Sequence, residues 1–213
     1  MSDGPPEFDA DFRARLDALM VWRRDVRRFR VDRVPDDLMA RVLRAFELAP
    51  SVGNSQPWRL VSVESDTARA RIRESFRRCN AAALAATDPR RSDLYARLKL
   101  AGLEAAPVQL AIFCDPDPAA GHGLGRRTMP ETLDHSVAGA ATLFALMARA
   151  HGLGVGWVSI LEPRAVSAAL TVPADWRLVA YLCVGYPEGE DDVPELERAG
   201  WQERRAARMP LRR

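Results

Sequence analysis

One turn of this chain reads Leu48-Ala49-Pro50-Ser51-Val52-Gly53-Asn54-Ser55-Gln56-Pro57-Trp58, and it joins the end of a helix to the start of a strand. Pro50 prevents the helix from continuing, and Gly53 allows backbone angles that other residues avoid. The side chains of Ser51, Asn54 and Gln56 place hydrogen-bond donors and acceptors close together. The turn is therefore predicted to bind a flat heteroaromatic ring with polar edges. The alternative is an ordinary helix-to-strand connection.

Regular apolar spacing extends on both sides of this turn. Apolar residues at helical spacing predict helices over residues 8–23, 34–50, 67–86, 92–105, 131–150 and 164–170. Short β-branched or continuously apolar runs predict strands over residues 59–63, 108–113, 155–161 and 178–184. The helices and strands alternate irregularly, which favours an α+β fold in which helices cover a central mixed β-sheet.

The composition indicates a globular protein. The chain has 213 residues, of which 47% are apolar, so it can bury a sizeable core. It has no uncharged apolar run of about eighteen residues, and its N-terminus lacks a basic segment followed by an apolar one. We therefore expect a soluble cytoplasmic protein that contacts no membrane. The net charge of only +2, with both signs spread along the chain, argues against a nucleic-acid-binding surface.

Cysteine and histidine residues do not indicate a redox or metal site. The 3 cysteines are widely spaced, and we interpret them as small core residues. His122, His135 and His151 have no cysteine or carboxylate partner at metal-ligand spacing. The sequence has no Gly-x-Ser-x-Gly elbow, and no cysteine has a convincing histidine partner. A metal site and a hydrolase are therefore not expected.

A second motif, Arg23-Arg24-Asp25-Val26-Arg27-Arg28-Phe29, concentrates guanidinium groups where the first helix is predicted to end. Arginine offers forked donors that stay charged, which suits the binding of a phosphate monoester. The alternative is a solvated surface. Asp25 lies inside the cluster, where nearby positive charge is expected to keep its carboxylate ionised. Its role is either an ion pair or cap, or a base held beside a bound anion.

A third motif has glycines at alternate positions, Gly152-Leu153-Gly154-Val155-Gly156-Trp157-Val158-Ser159. The glycines follow a helix and precede a strand, which is the reverse of the order in a dinucleotide-binding fingerprint. They are expected to let main-chain N–H groups approach a ring. Ser159 then adds a hydroxyl at the end of the strand.

The C-terminus is basic, with arginines at positions 204, 205, 208, 212 and 213. Three roles are open for this tail: solvation of the chain end, contact with a partner subunit, and binding of a phosphate. Residue spacing does not choose among them.

The segments Arg23–Phe29, Ala49–Trp58 and Gly152–Leu161 together resemble the flavin-destructase branch of the nitroreductase-like family. The resemblance spans residues 12–205 and implies one FMN-binding domain there, with terminal extensions at residues 1–11 and 206–213. It also implies the nitroreductase-like fold, assembled as a domain-exchanged homodimer with the flavin sites between subunits.

The resemblance implies an oxidoreductase that uses dioxygen to fragment reduced FMN into 5,6-dimethylbenzimidazole, the lower ligand of vitamin B12, and erythrose 4-phosphate. FMN is then a substrate, and a separate flavin reductase supplies it in the reduced form. Asp25 matches the family's aspartate, a base near ribityl carbon C1′, and Ser159 matches its serine near flavin N5. The cofactor-binding residues that the resemblance implies are Arg23, Arg24, Asp25, Val26, Arg27, Ser51, Asn54, Gln56, Val155 and Gly156.

Two other functions fit the same motifs. An NAD(P)H-dependent nitroreductase or flavin reductase keeps its FMN bound and needs room for nicotinamide over the flavin. A non-catalytic flavin-binding protein needs neither Asp25 nor Ser159. Flavin fragmentation calls instead for a closed pocket, and residues 94–103 or 115–130 are the candidates for its cover.

Overall fold

The computed structural model describes residues 4–97, 102–206 and 209–210. The helices within these ranges are α1 Ala10–Trp22, α2 Asp36–Leu48, α3 Asp66–Ala86, α4 Pro89–Arg97, α5 Gly102–Ala105, α6 Thr132–Ala150, α7 Pro163–Leu170 and α8 Glu195–Arg198. The strands are β1 Trp58–Ser62, β2 Val108–Cys114, β3 Gly154–Val158 and β4 Arg177–Gly185. None of the helices described is long and apolar enough to cross a membrane.

The four strands form one sheet in the order β1-β2-β4-β3, and each neighbouring pair is antiparallel. The predicted α+β class is confirmed. A sheet with both parallel and antiparallel pairs was predicted, and the parallel pairing is limited to one bridge between Asp25 and Val155, at the outer edge of β3. The apolar pattern of a strand reports its burial but not the direction of its neighbour, so the antiparallel pairing was not visible in the sequence.

Two predicted elements end elsewhere in the structure. The strand predicted over 155–161 ends at Val158. The residues that follow it lead into α7, whose N-terminus is capped by Glu162. The Glu162 carboxylate accepts hydrogen bonds from the backbone N–H of Arg164 at 3.0 Å and of Ala165 at 2.8 Å. The helix predicted over 92–105 corresponds to α4 and α5, and residues 98–101 lie outside the described part of the chain.

The core lies on both faces of the sheet. Leu110 and Ile112 of β2 pack with α2 and α6, whereas Ala111 and Phe113 belong to the cluster that includes α3 and α7. Successive side chains of a strand point to opposite faces, so a strand covered on both sides needs a continuous apolar run. This explains why the β2 sequence lacks polar alternation.

The cysteines are free and contribute to the interior. Cys114 and Cys183 are buried, and Cys79 is partly buried. Burial raises the pKa of the Cys114 and Cys183 thiols to about 12, so both stay protonated at neutral pH. The interpretation of these two cysteines as core residues is confirmed.

Candidate active site

An extended segment after α1 lies along the edge of β3, and it carries the first predicted motif. The backbone N–H of Val26 donates a 3.0 Å hydrogen bond to the carbonyl of Val155. A Cβ at Gly156 would overlap the Val26 carbonyl oxygen, and a Cβ at Gly154 would lie 2.7 Å from the Val26 side chain. The packing of Val26 therefore requires glycine at both positions.

Asp25 is held at one oxygen and open at the other. Its Oδ1 accepts a 2.8 Å hydrogen bond from the backbone N–H of Trp157, and its Oδ2 lies 3.7 Å from Arg27 Nε. The side chain remains 44% exposed, and that surface faces a cleft. The site therefore contains an accessible carboxylate of fixed orientation.

The surroundings of Asp25 act on its pKa in opposite directions. Burial against the walls of the cleft raises the pKa of this carboxyl above its ordinary value, although the Trp157 N–H, Arg27 and Arg23 lower it. Burial therefore acts on this carboxyl against the charge of the neighbouring arginines, and its effect is the larger one. The carboxylate is a stronger base than an exposed aspartate.

The predicted arginines converge beside Asp25. Arg23, Arg24 and Arg27 line a cavity of about 130 Å³ together with Asp25 and Arg204. The Nε atoms of Arg24 and Arg27 are buried and have no hydrogen-bond partner within the described residues. Buried N–H donors without partners are costly, and an anion in the cleft satisfies them. The cluster therefore suits a phosphate group.

Arg204 is a site residue that sequence reasoning did not assign. It belongs to the basic tail, and its only signal in the sequence was its charge. The structure places it close enough to Arg24 to lower the pKa of that guanidinium, together with burial and Arg23. Arg208, Arg212 and Arg213 of the same tail lie outside the described residues.

A larger cavity of about 560 Å³ opens beside the arginine cluster, and several of its lining side chains are acidic. Glu195 lies 3.8 Å from Arg27 Nε and 3.9 Å from Arg28 Nη2. Glu190, another lining residue, is bound by Arg149 through two hydrogen bonds of 2.7 and 2.9 Å. None of these carboxylates was singled out from the sequence, where they appear as an ordinary acidic loop.

Ser159 lies on the same edge of the sheet as Asp25. It is exposed directly after β3 and follows Trp157 by two positions, which is about 7 Å along a strand. Its hydroxyl has no hydrogen-bond partner within the described ranges. Ser159 therefore lies about two strand residues beyond Trp157, whose N–H binds Asp25.

The Ser51–Gln56 loop has an unusual backbone. Gly53, Asn54 and Gln56 have φ angles of 59°, 52° and 47°, in the left-handed region that non-glycine residues rarely occupy. The Ser51 hydroxyl accepts a 2.9 Å hydrogen bond from the Gln56 N–H, and this contact closes the loop. Left-handed backbone at two non-glycine residues stores strain, a feature that is concentrated at functional sites.

A neighbouring loop supports this backbone. A Cβ at Gly121 would lie 2.8 Å from the Ser55 side chain and 2.9 Å from the Gly53 carbonyl, and a Cβ at Gly125 would lie 2.7 Å from Val52. Segment 115–130, one of the two candidate covers, therefore packs against the Ser51–Gln56 loop. The other candidate, segment 94–103, is only partly within the described residues.

The loop and the arginine cluster lie apart within one chain. The Val52 N–H donates a 3.0 Å hydrogen bond to Ser136 in the first part of α6, whereas Arg149 near the end of α6 lines a cavity with Arg23 and Arg24. The helix rise between Ser136 and Arg149 is about 20 Å. The loop leads into β1, whereas the arginine segment lies along β3, and these two strands form opposite edges of the sheet. One chain therefore does not bring the two sets of predicted site residues together.

The chain matches known proteins over most of its length. Residues 20–186 match the model of the nitroreductase family. The 5,6-dimethylbenzimidazole synthase of Rhodospirillum rubrum is 58% identical over 200 residues, which cover 94% of this chain and 95% of that protein. The protein of the same name from Rhodobacter capsulatus is 48% identical over 196 residues, covering 92% and 95%. A crystal structure of oxidized iodotyrosine deiodinase bound to FMN and 3-iodo-L-tyrosine has a TM-score of 0.71 at 24% identity and covers 92% of this chain and 97% of that one.

Proposed function

This chain belongs to the nitroreductase family, and from that premise we propose that it catalyses the dioxygen-dependent fragmentation of reduced FMN to 5,6-dimethylbenzimidazole and erythrose 4-phosphate. The observation that carries this activity is the 58% identity to the Rhodospirillum rubrum synthase over 94% of the chain. The protein is then an oxidoreductase that consumes FMN, with dioxygen as its second substrate.

The arginine cluster fits the phosphate of FMN. Arg23, Arg24 and Arg27 converge on one cleft, and the buried Nε donors of Arg24 and Arg27 have no partner among the described residues. Arg204 adds a fourth guanidinium at the same place. FMN is also the flavin bound in the structurally similar iodotyrosine deiodinase. These observations support FMN, rather than a flavin without phosphate, as the ligand.

Asp25 is the proposed base. When bound, reduced FMN supplies the electrons and the ring system that is dismantled. The Trp157 N–H holds Asp25 Oδ1, which leaves Oδ2 free to take a proton from ribityl carbon C1′. Because burial raises the pKa of this carboxyl, Asp25 accepts a proton more readily than an exposed aspartate.

Ser159 is proposed to act at the flavin N5 edge. Its exposed hydroxyl is available to donate a hydrogen bond there, because it has no partner among the described residues. The backbone of Asp25 and Val26 pairs with Val155 at the edge of β3. In this proposal Val26, Val155 and Gly156 border the bound flavin. A donor fixed on a strand end needs no reorganisation during the reaction.

Two copies of the chain are proposed to form each site. The loop that contains Ser51, Asn54 and Gln56 contacts the first part of α6, and the arginine cluster lies beside its end, about 20 Å away along the helix. A partner chain is therefore the proposed source of these ring contacts. Helix α1 supports a homodimer, because it contains no buried residue and its apolar side chains Phe12, Leu16 and Met20 are 39–47% exposed.

The proposed activity is tested by mixing the protein with chemically reduced FMN in air and following 5,6-dimethylbenzimidazole by mass spectrometry. Supplying FMN already reduced bypasses the separate flavin reductase that we propose as its source in the cell. In a parallel reaction with NAD(P)H and FMN, oxidation of NAD(P)H that leaves FMN intact would favour a nitroreductase or flavin reductase instead. Bound FMN with neither reaction would indicate a flavin-binding protein.

A further inference from the structure

The Arg27 guanidinium lies between two carboxylates. Its Nε is 3.7 Å from Asp25 Oδ2 and 3.8 Å from Glu195 Oε2. The Arg27 side chain is only 10% exposed, so little solvent screens these contacts. Asp25 and Glu195 therefore compete for the same positive charge.

Glu195 is built into this position. It is the first residue of α8, its side chain is 27% exposed, and its second oxygen lies 3.9 Å from Arg28 Nη2. It also lines both the 130 Å³ and the 560 Å³ cavities. Since both carboxylates contact the same Arg27 nitrogen, at 3.7 and 3.8 Å, these oxygens are at most about 7.5 Å apart. At that distance the charge of one carboxylate acts on the other.

We propose that Glu195 is a positioning residue for the base: it binds the Arg27 guanidinium and thereby prevents Arg27 from fully neutralising Asp25. On the premise of the proposed function, Glu195 keeps the carboxylate basic enough to take the proton. Arg27 then forms no closed ion pair with Asp25 alone.

Charged groups of both signs surround Asp25. The charged and titratable groups around it are Arg23, Arg24, Arg27, Arg28, Arg198, Arg204, Glu188, Glu190, Asp191, Glu195 and the Cys183 thiol. Burial has the largest effect on the pKa of Asp25 and raises it, the Trp157 N–H, Arg27 and Arg23 lower it, and Glu195 raises it. Removing the charge of Glu195 leaves the arginines with less opposition, so Asp25 becomes a weaker base.

The test is Glu195→Gln, which keeps the size of the side chain and removes its charge. The acid limb of the pH profile for 5,6-dimethylbenzimidazole formation is expected to move down by about 0.5–1.5 pH units. Glu197→Gln is the matched control, because Glu197 lies on the same short helix and forms no ion pair within the described residues. Glu195→Asp retains the charge and is expected to retain most of the parent profile.

A second readout does not depend on turnover. Carbon-13 NMR titration of the Asp25 carboxyl in the ligand-free protein is expected to show the same downward shift in Glu195→Gln and none in Glu197→Gln. If circular dichroism shows that Glu195→Gln is unfolded, Glu195→Ala replaces it. An unchanged Asp25 titration in the charge-removing variant would overturn the role of Glu195. A parent protein that forms no product would instead overturn the proposed function, and the titration would still decide this inference.

Discussion

One oxygen of Asp25 is held by the Trp157 N–H and the other is free. A substitution that keeps the held contact but removes the basicity therefore tests catalysis separately from binding. Asp25→Asn keeps the size of the side chain and an acceptor for the Trp157 N–H but removes the basicity. FMN is therefore expected to bind to the variant, whereas 5,6-dimethylbenzimidazole formation is expected to fall by about 10²–10⁴-fold, the usual contribution of a general base. Mass spectrometry of product after mixing with reduced FMN and air measures this. Product at the parent rate would leave Asp25 as an ion-pair residue.

The same carboxyl predicts the pH dependence of the reaction. Its pKa lies above the ordinary aspartate value of 3.8, and the base acts in its ionised form. Activity is therefore expected to fall as the pH drops through that raised pKa, and well above it the ionisation of Asp25 no longer makes the rate depend on pH. Rates measured across the acid range locate this limb. An acid limb that persists unchanged in the residual activity of Asp25→Asn would assign it to another group.

Gly156 is the residue at which β3 and the Asp25 segment meet most closely. Gly156→Ala places a Cβ against the Val26 carbonyl, so the free energy of unfolding is expected to fall by about 1–3 kcal/mol. Urea or thermal unfolding measures the change. Gly139→Ala in α6 is the control, because nothing described lies within 4 Å of its Cβ position, and a helical alanine is expected to stabilise by about 0.5–1 kcal/mol. Equal free energies of unfolding for the two variants would show that the segment around Val26 moves to accept the extra Cβ without loss of stability.

At the scale of elements, β3 fixes the backbone of the segment after α1, which is the proposed phosphate-binding segment. Its arginines are expected to make the protein prefer FMN to riboflavin. Each charge-assisted hydrogen bond is worth about 1.5–3 kcal/mol, so two lost contacts weaken binding by more than about tenfold. Flavin fluorescence titration with both ligands measures the preference, which Arg27→Gln should reduce. Arg71→Gln, an exposed position on α3, should leave it unchanged.

Helix α6 links the two halves of the candidate site and keeps them apart. Its buried residues Val137, Phe144 and Ala148 hold it against the sheet, and Ser136 near its start binds the Ser51–Gln56 loop. The small residues of this helix lie on two of its faces: Ala140 and Ala141 are buried in the core, and Gly139 is exposed. A rigid helix therefore sets the spacing between the Ser51–Gln56 loop and the arginine segment.

At the scale of the whole molecule, the exposed apolar face of α1 and the divided site both call for a second copy. Light scattering is expected to give twice the 23.6 kDa of one chain at micromolar concentration. Leu16→Glu places a charge on that face and is expected to raise the monomer fraction and to lower FMN affinity together. Arg15→Gln, on the same helix but 82% exposed, is the control. A monomer that still binds FMN as tightly as the parent would refute the shared site.

The sequence by itself determined most of the local structure. Helical spacing located α2, α3, α6 and α7, and continuous apolar runs located β2 and β4, since each pattern depends only on which side chains of a segment are buried. The three motifs were visible for the same reason, because each is a short stretch with a distinctive chemistry. Their resemblance to the nitroreductase-like family also predicted the fold correctly.

Only the tertiary structure decided how distant segments act on one another. It showed that the strands are antiparallel, that Arg204 and Glu195 join the arginine cluster, and that the Ser51–Gln56 loop lies far from it within one chain. It also showed that burial raises the pKa of Asp25 against the charge of the neighbouring arginines. Hydration and electrostatic interactions depend on distances through space, and residues far apart in the sequence set those distances, so no local pattern encodes them.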